Sequence, residues 1–436
     1  MELFKITSDL DFSDDDDEDE SDYDEDWFRK DSDYFETREE YEQYLEENGY
    51  TDDALMDLDE PAGDSRSKRS SKKAKKEIPC LGVDLNVKRR VLPTQHYMPL
   101  PNGASYLMKS KDDSNAYVFK RTIGADEKVS YSTGAEFEGF AHGQTFEQFV
   151  NSNHEEYYLL GCGAKGKFAR KLAIMPRSLF ENRVLSGKKI AFEDWEEGLF
   201  RILTGLQYAN KERSGKGKGK LYRVDAALTA DGSTIAIWKE FQKEKNNKKE
   251  LFHEISLYDM WKISEIYQKE WESAEKKNKN KSLRLSFKKK KKALKKALIG
   301  SFGEKFTSER KSVLKPNGSF QSIDIEKYIE DNAEKWRVVI TSGNEIGDTK
   351  DATITRLEVE REKGKGITYE AFRDDIGFEG EPNAKLELEG GHIMNGNSYE
   401  FLVVKRVKVT GKDGKEKNPR HLFLATIDLR DIKTKV

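Results

Sequence analysis

The stretch LYRVDAALTADGSTIAIWKEF, residues 221–241, carries the strongest local fold signal in this chain. Two strand-like runs, Leu221–Leu228 and Ser233–Phe241, flank Thr229-Ala230-Asp231-Gly232. An Asp-Gly pair between such runs specifies a tight β-hairpin, because the favoured two-residue turn needs positive φ that these residues tolerate. Immediately downstream, Phe252, Ile255, Met260, Ile263, Ile266, Tyr267 and Trp271 recur mostly three to five residues apart, which predicts a long amphipathic helix over 251–276. A hairpin running into a helix points to an α+β fold.

The same alternation of hairpins and helices extends upstream. Ala104–Lys109 and Ala116–Arg121 read as strands joined by a polar loop, and Tyr157–Gly161 and Lys167–Met175 read as strands about Cys162-Gly163-Ala164-Lys165-Gly166. Thr145 followed by Gln148 has capping-box spacing and predicts a short helix through Val150. Phe192, Trp195, Leu199, Ile202, Leu203 and Leu206 predict a further amphipathic helix. Downstream, Ile323 to Glu334 reads as helix. Trp336–Thr341, Ala352–Arg361, Ile367–Phe372, Lys385–Glu389, Tyr399–Val409 and His421–Asp428 read as strands. No internal repeat is visible. The expected organisation is an acidic, disordered N-terminal tail passing into a basic linker over 1–79, then a mixed hairpin and helix central domain over 80–300 that closes with a Lys-rich helix. A linker over 301–319 and a predominantly β C-terminal domain over 320–436 complete it.

Charge is distributed very unevenly. The first sixty residues hold 27 Asp/Glu against four Lys/Arg, a net −23, so the remaining 376 carry +19 within an overall −4. The block DFSDDDDEDESDYDED (11–26) cannot collapse at neutral pH, whereas Trp27, Phe28, Tyr34, Phe35, Tyr41, Tyr44 and Leu45 are interleaved with acid. That composition suits a segment that folds onto a basic protein partner, or one that solvates the chain. Seven cations between Arg66 and Lys76 read as a linker, a phosphate-gripping run or a nuclear-import signal.

Residues 276–296 hold twelve Lys/Arg and no acid. Clustered lysines bind polyanions by releasing condensed counterions, without reading bases. The expected nucleic-acid contacts are therefore Lys276, Lys277, Lys279, Lys281, Arg284, Lys288, Lys289, Lys290, Lys291, Lys292, Lys295 and Lys296, joined by Lys165, Lys167, Arg170 and Lys171 of the glycine-rich turn. That turn lacks the Gly-x-x-x-x-Gly-Lys-Ser/Thr order of a nucleotide loop. The leading functional expectation is a non-enzymatic, sequence-nonspecific nucleic-acid-associated regulatory protein whose acidic tail mimics a polyanion, inhibiting its own cationic surface or recruiting a basic partner. One alternative is a divalent-metal nuclease using Mg²⁺. Its carboxylates would be Asp225 and Glu240 on the 221–241 hairpin, or Glu358 and Glu360 on a strand. A further alternative is a protein–protein adaptor that involves no nucleic acid.

Two cysteines, Cys80 and Cys162, exclude a four-cysteine zinc module, and His96, His142, His154, His253, His392 and His421 do not fall at finger spacings. No cofactor and no metal site are expected outside the nuclease reading. With no signal-like N-terminus and no apolar run of membrane-spanning length, the chain reads as soluble and cytoplasmic, or nuclear in a eukaryotic or viral setting.

Overall fold

The computed structural model describes residues 78–84 and 94–436, the latter with interruptions of which the longest are 207–219 and 266–293. Its first strand is β1 (Ile78–Asp84). Four-stranded antiparallel meanders then follow one another along the chain. The first consists of β2 (Thr94–Pro99), β3 (Ser105–Ser110), β4 (Ala116–Ile123) with the short β5 (Val129–Tyr131) beside it, and β6 (Ala135–Glu138). The second consists of β7 (Phe146–Val150), β8 (Glu156–Cys162), β9 (Lys171–Pro176) and a short fourth strand. Between its third and fourth strands run α1 (Arg177–Ser186) and β10 (Ile190–Ala191), which joins β6 in parallel; the fourth strand is β11 (Arg201–Leu203).

The third meander is β12 (Lys220–Leu228), β13 (Thr234–Lys245), β14 (Lys248–Asp259) and β15 (Leu298–Phe306). The fourth is β16 (Ser322–Glu330), β17 (Ala333–Ser342), β18 (Thr353–Glu362) and β19 (Gly366–Phe378). The fifth begins with β20 (Leu386–Ile393) and β21 (Ser398–Arg406), passes a small ladder of β22 (Val409–Thr410) and β23 (Glu416–Lys417), and continues as β24 (Arg420–Asp428). Its fourth strand is β1, which pairs antiparallel with β24 from Leu81↔Thr426 to Asp84↔Phe423.

The first strands of the meanders touch in a closed cycle: β2 with β7, β7 with β12, β12 with β16, β16 with β20, and β20 with β2. Apolar burial repeats that cycle. Five core clusters lie one at each junction between successive meanders, the last joining Tyr97, Leu107 and Phe119 to Leu402, Val404 and Leu422. The fold is a five-bladed β-propeller closed by β1. β1 also runs parallel to β19 at Ile78↔Ile376, so the fourth and fifth blades share one eight-stranded sheet.

This overturns the expected α+β class, with its helix-and-hairpin centre and separate β domain. The 221–241 hairpin forms as read, as do those at 104–121 and 157–175, and the strands expected after Trp336 are present. The expected helices at 145–150 and 323–334 are strand instead, as is the first part of the one expected over 251–276. Residues 145–150 contribute β7, residues 192–203 a 3₁₀ turn (Phe192–Trp195) and β11, residues 251–259 the body of β14, and residues 323–334 the β16–β17 hairpin; residues 260–265 are helical, and 266–293 lie outside the described residues. A blade is covered on both faces, so its strands lose the apolar/polar alternation that marks a one-sided sheet. Thus Ile235 and Ile237 pack toward the second blade while Ala236 and Trp238 pack toward the fourth. Apolar residues then fall at three- and four-residue intervals without any helix. In 323–334 the missed signal is Asp331-Asn332, whose φ values of 52° and 61° make the tight turn between β16 and β17.

Candidate functional site

The innermost strands bring a small set of titratable side chains to the propeller axis. His96 on β2, Glu147 on β7, Asp324 on β16 and Glu389 on β20 are each buried in strands that are otherwise largely apolar. Each lies on the innermost strand of its blade, the sheet-edge strand that borders the axis. Ligand atoms of His96, Glu147 and His392 all lie within 4.8 Å of one another. The His96 and His392 rings meet edge to face, 5.2 Å between centroids. His392 Nε2 lies 2.6 Å from the Tyr97 carbonyl, an acceptor that places a proton on that nitrogen. No hydrogen bond of ordinary geometry reaches either ring nitrogen of His96 or Oε1 of Glu147, though the Phe146 backbone lies near enough to act on the His96 ring. Gly390 makes room for the ring, since a β-carbon there would stand 2.3 Å from His96 Nδ1.

Hydrogen bonds hold several of the polar atoms around this group. Asp324 accepts hydrogen bonds from the amides of Ile393 and Ile325, and Gln95 Nε2 donates to Glu389 at 3.2 Å. Burial lowers the pKa of His96, helped by the neighbouring His392, and burial lowers His392 as well. Burial raises both carboxyls, Glu147 further through the charge of Asp324. The axis therefore favours neutral imidazoles and protonated acids.

The carboxylates expected to serve a nuclease are engaged elsewhere and do not converge. Asp225 is buried against Arg223 at 2.6 Å, whose guanidinium lies over Phe168 and Phe320. Glu240 faces the fourth blade, bonded to Lys315 at 2.7 Å and His253 at 3.2 Å. Its chain neighbour Lys239 faces the other way, 2.8 Å from Glu254. Glu358 is held by Arg337 at 2.9 Å and by the Tyr328 hydroxyl at 2.8 Å, while the more exposed Glu360 lies 3.5 Å from Lys335. Burial alone would raise the Glu240 carboxyl, but the Lys315 charge and the His253 hydrogen bond outweigh it and hold the pKa far below the usual range. A carboxylate depressed in the folded state stabilises above its unfolded value, near 4.5, and loses that stabilisation as pH falls. Glu240→Gln is thus expected to be less stable than the parent at neutral pH. In chemical denaturation at several pH values, the gap should narrow below about pH 4.5.

Of the expected phosphate contacts, Lys165, Lys167, Lys276, Lys277, Lys279, Lys281, Arg284, Lys288, Lys289, Lys290, Lys291 and Lys292 lie outside the described residues. Lys295 and Lys296 are exposed on a single helical turn, 294–297, anchored by buried Leu294 and Ala297. Arg170 and Lys171 are partly buried where β9 begins, with Lys171 over the Phe192 ring. Strand direction separates these places. The connection from β14 to β15 leaves and returns at the face toward which the innermost strands run, here called the exit face. Its first residue, Met260, donates its amide to Ser233 in the β12–β13 turn. The β8–β9 turn lies at the opposite face, beside the start of β12, where Val224 donates to Ala169.

Exposed large apolar side chains follow the same division. Among the described residues these are Ile123, Val150, Leu185, Trp261, Ile329, Met394 and the last residue, Val436. Val150, Ile329 and Met394 stand at or near the ends of innermost strands; Ile123 ends β4 and Trp261 follows β14. Leu185 lies on α1, in the connection that leaves β9. All six belong to the exit face. No described helix is long and apolar enough to cross a membrane.

No family model and no curated protein sequence matches the chain. Among solved structures it is similar to the WD40 domain of SCAP from fission yeast at 8% identity and a TM-score of 0.26, covering 75% of this chain and 63% of that one. It is also similar to extracellular domains 1–2 of Drosophila Semaphorin 1a at 7% identity, TM-score 0.33, with 77% and 74% covered. A third likeness is to a Penicillium chrysogenum α-L-arabinanase complexed with arabinobiose, at 8% identity, TM-score 0.27, with 82% and 99% covered. The strand order and the closed ring, rather than these distant likenesses, carry the propeller assignment.

Proposed function

We propose that this chain is a binding protein rather than a catalyst, a propeller whose exit face docks a protein partner. The observation that supports this reading is the one-sided placement of exposed apolar side chains, from Ile123 round to Met394. Single exposed apolar residues need no explanation, but their collection on one face does. Exposed charge of both signs, among it Lys262, Lys295, Glu265 and Asp331, rims these apolar side chains. The carboxylates that a hydrolytic reading would use are paired with arginine and lysine side chains and do not converge.

The test is site-specific photocrosslinking of the full chain in its producing cell, with the reactive residue at 261, at 329, or at 112 in the β3–β4 turn of the opposite face. Protein adducts are expected from the first two positions and not from the third. Trp261→Glu combined with Ile329→Glu should weaken binding of the recovered partner by at least ~10-fold, as loss of an interface anchor does. Nucleic-acid binding in a gel-shift assay that survives those two changes and falls steeply with salt would instead favour the lysine-to-phosphate reading.

A further inference from the structure

We propose that His96, Glu147 and His392 form a binding site for a divalent transition metal on the propeller axis. The three side chains come from β2, β7 and β20, the innermost strands of three successive blades in the ring, so no single stretch of sequence contains the site. Their ligand atoms lie within 4.8 Å of one another. Ligands of a tetrahedral zinc ion stand ~3.4 Å apart, given metal–nitrogen distances near 2.1 Å, so modest side-chain rotation closes the set.

Three independent features fit a metal better than a self-contained polar cluster. No hydrogen bond of ordinary geometry reaches either His96 nitrogen or one Glu147 oxygen, although the residues are only 1% and 5% exposed. Buried polar atoms nearly always have partners, and these three atoms lie at or beside the proposed centre. His392 gives its Nε2 proton to the Tyr97 carbonyl, which leaves the Nδ1 lone pair for coordination. Donation from the second ring nitrogen to a carbonyl is the usual outer support of a ligating histidine. Gly390 leaves the space that the His96 ring occupies.

Two imidazoles and a carboxylate select zinc and its neighbours among first-row divalent ions over magnesium and calcium, which prefer all-oxygen sets. Three protein ligands also leave a coordination position for water or an exogenous group. This inference stands apart from the exit-face docking reading, and neither requires the other.

The experiment is a Co²⁺ titration of the full chain after chelator dialysis, followed by visible ligand-field absorption, Zn²⁺ back-titration and thermal melting with Zn²⁺ or Mg²⁺. One equivalent of Co²⁺ should give ligand-field bands that Zn²⁺ abolishes, and Zn²⁺ but not Mg²⁺ should raise the melting temperature by mass action. Glu147→Gln and His392→Gln, each checked for native circular dichroism, should weaken uptake by more than the ~10–100-fold typical of losing an outer-shell partner. If either variant fails to fold, the other and the wild-type melt still decide. Absence of stoichiometric uptake by the wild type would overturn the site and leave a proton-sharing cluster. Uptake unchanged in both variants would overturn it equally, by placing the metal elsewhere, as on the acid-rich first sixty residues.

Discussion

Removal of residues 78–84 is expected to abolish stable folding of the chain. β1 supplies the fourth strand of the last blade through its ladder to β24, and its first residues extend that ladder to β19. Without it, two strands from different blades lose their partner, and the one sheet that couples the fourth and fifth blades is cut in two. A domain whose net stability is only about 5–15 kcal/mol does not survive losing a central strand. The truncated chain should accumulate as aggregate, or melt at least ~10 °C below the full chain. A truncated chain melting within ~2 °C of the parent, a shift worth under ~1 kcal/mol, would show that β1 is not the closing element.

The second large effect concerns Lys239, fully buried between the second and third blades. Its ammonium lies 2.8 Å from Glu254, 3.2 Å from the Leu206 carbonyl and 3.4 Å from the Tyr258 hydroxyl. Burial works against the charge, but Tyr258 and Glu254 outweigh it and raise the lysine pKa. Lys239→Met removes the cation that faces Glu254 in the interior, leaving it the Ser256 hydroxyl, at a cost of about 3–5 kcal/mol. Replacing both, as Lys239→Met with Glu254→Leu, should restore most of that loss, because a well-packed apolar pair is often as stable as the ion pair it replaces. Urea denaturation of the two single variants and the double variant measures the cycle. Additive losses in the double variant would show that the two residues act through separate packing rather than through each other.

Much of the strand structure was legible in the sequence, and the reason is local. Asp231-Gly232 specifies a turn without help from the rest of the molecule, and so do the polar loops after Ser110 and Cys162. What could not be read was the number of faces each strand would bury. Phe252, Ile255, Met260 and Ile263 look helical because residues of β14 divide between two neighbouring blades, and the 260–265 turn then adds its own pair. The repeat was concealed for a related reason. Innermost strands begin at Thr94, Phe146, Lys220, Ser322 and Leu386, unevenly spaced because some connections are short turns and others, such as 260–297, are long.

The axial residues left a fainter trace. His96 stands in TQHYMP, Glu147 in FEQFV and Asp324 in SIDIEK, each a polar residue among strand-like apolar neighbours. Read singly, each is an ordinary interruption, and the capping-box spacing from Thr145 puts Glu147 in a helix. Only the ring relates them, because it brings β2 and β20 side by side although nearly the whole described chain separates them. The cationic expectation shows the opposite case: Lys295 and Arg170, grouped by composition, sit at opposite faces.

The pairing of Leu81–Asp84 with a strand ending at Asp428 sets the order of assembly. During synthesis the earliest of these strands emerges from the ribosome long before its partner exists, and its exposed backbone must wait. Contacts so distant along the chain are slow to form, since the loop they close carries the greatest entropic penalty. Folding of the ring is therefore expected to finish only after translation of β24, with the earlier blades held as an open arc in the interval.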